Sequence, residues 1–270
     1  MTMPDQSQFD RSAYTVAKEY LLGFEQVTPE MLERYLSVPD SQRPDSLAHV
    51  YRQLLESAHS PGMMPSVIGA AMGGVGSLEA VLCHFQSLAI VEKYGLDWSA
   101  LLDEIVSEVN PQGQIRRSPR SLWPRFCRTA LSGAAFLTQF DELEDFQRWV
   151  EPFNQDDRTR PALPLLLSAE IDGIGFPLAC DFLKELGYLG YCKPDVHLKV
   201  IFPQLGLSSD ETDFGVFKAI VRVARNVGVT PYAVDKLFWL TGSGNFYLDG
   251  VRIGRIRDEF VRYAQQRLGC

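Results

Sequence analysis

Apolar residues recur three and four apart along most of this chain, the period of a helix that buries one face. The pattern runs through AYTVAKEYLLGF (residues 13–24), PEMLERYL (29–36), SLAHVYRQLLESA (46–58), SLEAVLCHFQSLAIVEKYG (77–95) and WSALLDEIVSEV (98–109). It continues in RSLWPRFCRTALSGAAFLTQF, ELEDFQRWVEPF, ALPLLLSAE, LACDFLKELG, FGVFKAIVRVARNVG, TPYAVDKLFWLTG and GRIRDEFVRYAQQRL. Gly95 and Asn110-Pro111 mark stops, and FNQDDRTRPALP reads as a polar connection. No long alternating pattern appears. GNFYLDGVRIG predicts one small β-hairpin, with Asp249-Gly250 as a favoured two-residue turn. The expectation is an all-α protein of about ten to fourteen helices, with that hairpin near the C-terminus.

At 46% apolar and 22% charged, the 270 residues can bury a sizeable core, as one domain or as two lobes sharing a cleft. MTMPDQSQFDRSAY lacks the basic start and apolar run of a signal peptide. Glu79, His84 and several glycines break the most apolar stretch, so no membrane partner is expected. The five scattered cysteines (Cys83, Cys127, Cys180, Cys192, Cys270) form no CxxC pair. A reduced, cytoplasmic protein without disulfides or structural zinc follows as an expectation.

Net charge is −8, which argues against a nucleic-acid partner until its distribution is read. Residues 1–110 carry 6 Lys+Arg and 15 Asp+Glu; residues 111–270 carry 20 and 19. The chain divides on this basis into an acidic helical region, 1–110, part of the same globule, and a balanced helical region, 111–270. The latter has two basic clusters: Arg116, Arg117, Arg120, Arg125 and Arg128, and the run from Arg252 to Arg267. Local field decides whether phosphate is attracted. The C-terminal run reads equally well as a solvated helix face.

The segment IDGIGFPLACDFLKELGYLGYCKPDVHLKVIF (171–202) is the most informative. Asp172-Gly173-Ile174-Gly175 predicts a tight reversal, with glycines tolerating positive φ and Ile171 and Ile174 anchoring it. Pro177 suits the first turn of the next helix, which buries Ala179, Phe182, Leu183 and Leu186. Outward N–H groups of such a turn, with the following helix N-terminus, can grip a phosphate oxygen. Taken alone, Gly-x-Gly is also an ordinary helix–helix turn. Lys193-Pro194-Asp195-Val196-His197 then opens another helix, which Asp195 could simply cap.

Over residues 163–207 this order of elements resembles the helix–hairpin–helix DNA glycosylase superfamily: apolar helix, Gly-Ile-Gly turn, amphipathic helix, Gly/Pro loop, Asp-Val-His, apolar helix. The resemblance implies a two-lobed helical fold with DNA as partner, acting as a monomer. It implies that Asp195 stabilises positive charge on the sugar and activates water while an N-glycosidic bond breaks. Gly173, Ile174, Gly175, Lys193, His197 and Lys199 become candidate DNA contacts. Trp123, Phe126 and Trp239 become candidate walls for a flipped base. Relatives with lyase activity carry a lysine where this chain has Pro177, so base release without strand cleavage is expected. No cysteine lies between Cys192 and Cys270, so no iron–sulfur loop is expected. No cofactor is implied beyond a monovalent cation at the turn.

The substrate class stays open between damaged bases and modified bases of foreign, phage-type DNA. Two other classes compete: a non-catalytic DNA-binding module, and a helical interaction protein whose turn binds nothing. His49, His59 and His84 lack metal-ligand spacing. GAAMGGVGSLEA (69–80) lacks the Lys-Ser/Thr of a nucleotide loop and reads as close helix packing.

Overall fold

The structure is a computed structural model and describes residues 5–37, 43–59 and 68–269, without the side chain of His59. Cys270 and residues 60–67, which include the start of the apolar stretch, lie outside the described residues. Packing divides the chain into two compact units, one formed by Arg43–Leu186 and one by Met1–Gln42 with Gly187–Cys270. That division differs from the one drawn on charge at residue 110.

The helices in chain order are α1 (Gln6–Leu22), α2 (Pro29–Leu36), α3 (Leu47–His59), α4 (Ala70–Met72), α5 (Ser87–Tyr94), α6 (Trp98–Glu104) and α7 (Leu122–Leu137). There follow α8 (Leu143–Gln155), α9 (Ala162–Glu170), α10 (Phe176–Glu185), α11 (Leu198–Gln204), α12 (Asp213–Val227), α13 (Pro231–Ser243) and α14 (Arg257–Leu268). Several start where their caps dictate. Thr28 Oγ1 accepts from Met31 N at 3.2 Å ahead of Pro29, and Thr212 and Thr230 cap α12 and α13 in the same way.

In the Arg43–Leu186 unit, α7 packs against α3, α5 and α6. Tyr51 Oη donates to Ala130 O at 2.9 Å, tying α3 to α7. The helix expected over 77–95 is broken. Cys83, His84 and Phe85 adopt left-handed backbone (φ 49, 54 and 62), and α5 begins only at Ser87. Leu78, Val81, Leu82 and Phe85 are all buried, so their helical spacing is satisfied by short 3₁₀ turns instead. Close packing does not explain Gly73 or Gly74 of the 69–80 stretch either. A Cβ at Gly73 or Gly74 would meet nothing within 4 Å, and both sit at positive φ. They are there for the turn they make.

In the other unit, Asp10 of α1 is fully buried and accepts from Arg222 Nε at 2.9 Å, Asn226 Nδ2 at 2.7 Å and Gln6 Nε2 at 2.9 Å, joining α1 to α12. The hairpin is present as β1 (Asn245–Phe246) and β2 (Val251–Arg252), antiparallel, with Phe246 opposite Val251. Its loop runs over residues 247–250, longer than the two-residue turn expected. Asp249 N donates to Phe246 O, and Tyr35 Oη accepts from Leu248 N at 2.6 Å, so a contact from α2 holds the wider loop.

Candidate functional site

The turn between α9 and α10 is built on α7. Ile171 and Ile174 are buried, and Ile174 N donates to Ile171 O at 3.2 Å to close the reversal. Asp172 N donates to Ser132 Oγ at 3.0 Å, and the Asp172 carboxylate pairs with Arg128 Nε at 3.1 Å. Gly173 has φ +79, and a Cβ there would lie 2.5 Å from Thr129 Oγ1. Gly173 is thus required twice over, by backbone sign and by the approach of α7. Gly175 has φ −85 and needs no such freedom. Among the described residues, the N–H groups of Gly173 and Gly175 donate to no protein acceptor. Ile171 O accepts from Ile174 N, and Gly175 O accepts from Leu178 N and Ala179 N at the start of α10.

The first arginine cluster is partly neutralised. Arg117 pairs with Asp103 and Arg128 with Asp172, while Arg116, Arg120 and Arg125 are exposed. Pro177 sits in the first turn of α10, and Ala179, Phe182, Leu183 and Leu186 are buried as their spacing requires.

Asp195 belongs to the other unit. Its Oδ1 accepts from His197 N at 2.8 Å and Leu198 N at 3.0 Å, so it caps α11, which starts at Leu198 rather than at Val196. The helix start is pinned by its neighbours. Lys193 N donates to Asp235 Oδ2 at 2.8 Å, and Tyr232 N donates to Leu189 O, fastening the Gly/Pro loop to α13 at two points. Burial pushes the Asp195 carboxyl above the ordinary aspartate range, and the charge of nearby Asp235 adds to this. The Leu198 and His197 N–H groups and the charge of His197 oppose it, and burial prevails. Asp235 is itself 2% exposed. Its sequence signal is a carboxylate between Val234 and Lys236 on a largely apolar helix, and a polar residue on an inner face implies a specific partner.

His197 lies against α13. A Cβ at Gly242 would fall 2.4 Å from His197 Cβ, so this helix must carry glycine there. The buried His197 Nδ1 has no hydrogen-bond partner among the described residues. Lys199 Nζ donates to Asp213 Oδ1 at 2.9 Å, and its charge is matched locally. Asp195, His197 and Lys193 are therefore brought together around α13, while Gly173, Ile174 and Gly175 belong to the unit that holds α7.

The expected base-pocket aromatics separate. Trp123 and Phe126 are 2% and 1% exposed on the inner face of α7. They are core side chains and do not wall an open pocket, which corrects the expectation; Arg125, which lies between them in sequence, is exposed. Trp239 is half-buried, edge-on to the exposed Tyr247 with ring centroids 5.9 Å apart. It is the one of the three within reach of a ligand.

The run from Arg252 to Arg267 also divides. Arg267 pairs with Glu19 at 2.8 Å. Arg252, Arg255 and Arg257 instead line a cavity of about 740 Å³ that His197 also borders. Nothing in the order of residues separates these three arginines from the rest of the run. No helix of the described residues is long and apolar enough to cross a membrane. No family profile, curated protein or solved structure matches this chain.

Proposed function

We propose that this protein is a monofunctional DNA N-glycosylase with Asp195 as its catalytic carboxylate. Water attacks C1′ of an extruded nucleotide as the bond from C1′ to the base nitrogen breaks. The bonding pair leaves with the base, and Asp195 takes the proton that water loses. The ionised carboxylate also offsets the positive charge that develops on the sugar. A carboxyl whose proton affinity is raised is the stronger base once ionised, and its two backbone hydrogen bonds hold it in one orientation.

The observation that carries this reading is the Asp195 carboxyl itself, anchored through Oδ1 to two N–H groups, beside buried Asp235 and two residues from a wall of the arginine cavity. By contrast Asp97 and Asp210, whose carboxylates also accept from nearby backbone N–H groups, are exposed and held below the ordinary aspartate range by their hydrogen bonds. Pro177 supplies no amine for Schiff-base chemistry, and Lys193, the amine near Asp195 in sequence, is assigned to a phosphate contact, so water is the nucleophile in this reading.

Wild type and Asp195→Asn are incubated with genomic DNAs of different modification status. Freed bases are identified by mass spectrometry and abasic sites counted. Asparagine keeps the cap and removes the base, so release by wild type alone is expected. Equal release by both proteins, or none by wild type across a panel of damaged and phage-modified DNAs, sinks the assignment. Efficient nicking of abasic strands without heat or alkali sinks its monofunctional part.

A further inference from the structure

The geometry points to a second site: the cavity beside β2 and the start of α14 is an oxyanion pocket for a phosphate ester. Its walls carry Arg252, Arg255 and Arg257 against one carboxylate, Asp258, which already pairs with Arg257 Nε at 3.1 Å. Arg252 and Arg255 are exposed and form no ion pair among the described residues. In a chain of net charge −8, two unmatched guanidinium groups on one concave wall form a local positive field. Guanidinium forks match phosphate oxygens in pairs.

The backbone beneath them is held tightly. Gly244 ends α13 at φ +60, and a Cβ there would lie 2.0 Å from Gly254 O. Ile253 N donates to Gly244 O at 2.9 Å. The arginines thus stand on a fixed hairpin base instead of a loose tail. No Phe, Tyr or Trp is among the lining residues, and the guanidinium groups suit a phosphate better than a base. His197 forms part of the wall, which places the pocket next to the loop that bears Asp195. The phosphate is either one of a DNA strand, in which case the inference rests on the glycosylase reading, or that of a free ester.

The test uses the full chain with a fluorescently labelled DNA duplex, read by anisotropy across a salt series, and pyrophosphate, read by calorimetry. Arg252→Gln/Arg255→Gln is compared with wild type after both are shown to melt alike, and Arg255→Glu serves as an independent second variant. Duplex affinity should fall at least tenfold at low salt. The salt dependence should become shallower by about 0.9 for each phosphate the variant no longer neutralises. If pyrophosphate binding disappears while duplex binding is unchanged, the pocket stands and its ligand is a small free phosphate compound, not a DNA strand. Wild-type binding of neither probe, or equal binding of both by wild type and variants, overturns the proposal. Asp195→Asn should still bind the duplex. Failure of base release by wild type with its duplex binding intact removes the glycosylase alone, and intact release with unaltered binding in the arginine variants removes the pocket alone.

Discussion

Asp235, buried on α13, holds the backbone of Lys193 at 2.8 Å and lies close enough to Asp195 for its charge to resist the ionisation of that carboxyl. One side chain thus anchors the loop ahead of Asp195 through a hydrogen bond and, through like charge, adds to the rise in proton affinity that burial causes.

Base release should therefore rise with pH as Asp195 ionises, with its acidic limb above the ordinary aspartate range. Asp235→Asn retains an acceptor for Lys193 N and removes one cause of the shift. The limb should move to lower pH, read from kcat/KM across pH. An unmoved limb would detach Asp235 from the chemistry.

Stability gives the same shift a sign. A folded-state pKa above the unfolded one means that the native protein binds more protons between the two values. Stability then falls as pH climbs from the unfolded pKa through the folded one. Asp195→Asn should melt no lower than wild type at neutral pH, because it keeps the cap and removes the charge. Asp195→Ala should lose about 1 kcal/mol with the cap.

Gly173→Ala puts a methyl on Thr129 Oγ1 at a backbone angle that L-residues rarely adopt. A loss of about 1–3 kcal/mol is expected in denaturant unfolding. Gly175→Ala, at φ −85 with only Pro177 Cδ nearby at 3.8 Å, should cost much less.

Gly242→Ala should push His197 off α13 and disturb the first turn of α11 that Asp195 caps. The expected result is at least tenfold slower base release, with a stability loss of about 1–3 kcal/mol. His197→Ala in the same background should restore part of the stability, because it removes the side-chain atoms beyond Cβ that a methyl at Gly242 meets.

Asp10→Ala leaves Arg222 without its carboxylate and should destabilise the protein by about 3 kcal/mol in urea unfolding. It touches none of the groups around Asp195, so rates measured on folded protein should be unchanged.

Much of this architecture is legible in the chain. PEMLERYL forms a helix over the span its period marks, because Thr28, Pro29 and the apolar spacing agree. The turn at 171–175 and the inner face of α10 are readable for the same reason: local signals and burial point one way. The stretch 77–95 departs from its apparent period because its apolar spacing fits short left-handed and 3₁₀ turns as well as a helix. Trp123 and Phe126 illustrate a different limit, since helical spacing says that an aromatic faces inward without saying whether the interior is core or cavity.

By itself the sequence determined the helical class, most helix starts, the glycine turn and the capping position of Asp195, all consequences of caps, periodicity and backbone freedom acting over a few residues. Only the tertiary structure decided that Asp235 faces Asp195, that Gly242 admits His197, and that three of the C-terminal arginines line a cavity while Arg267 pairs with Glu19. Those relationships join residues tens to hundreds of positions apart. They depend on which faces of the helices pack together, and no local preference encodes that.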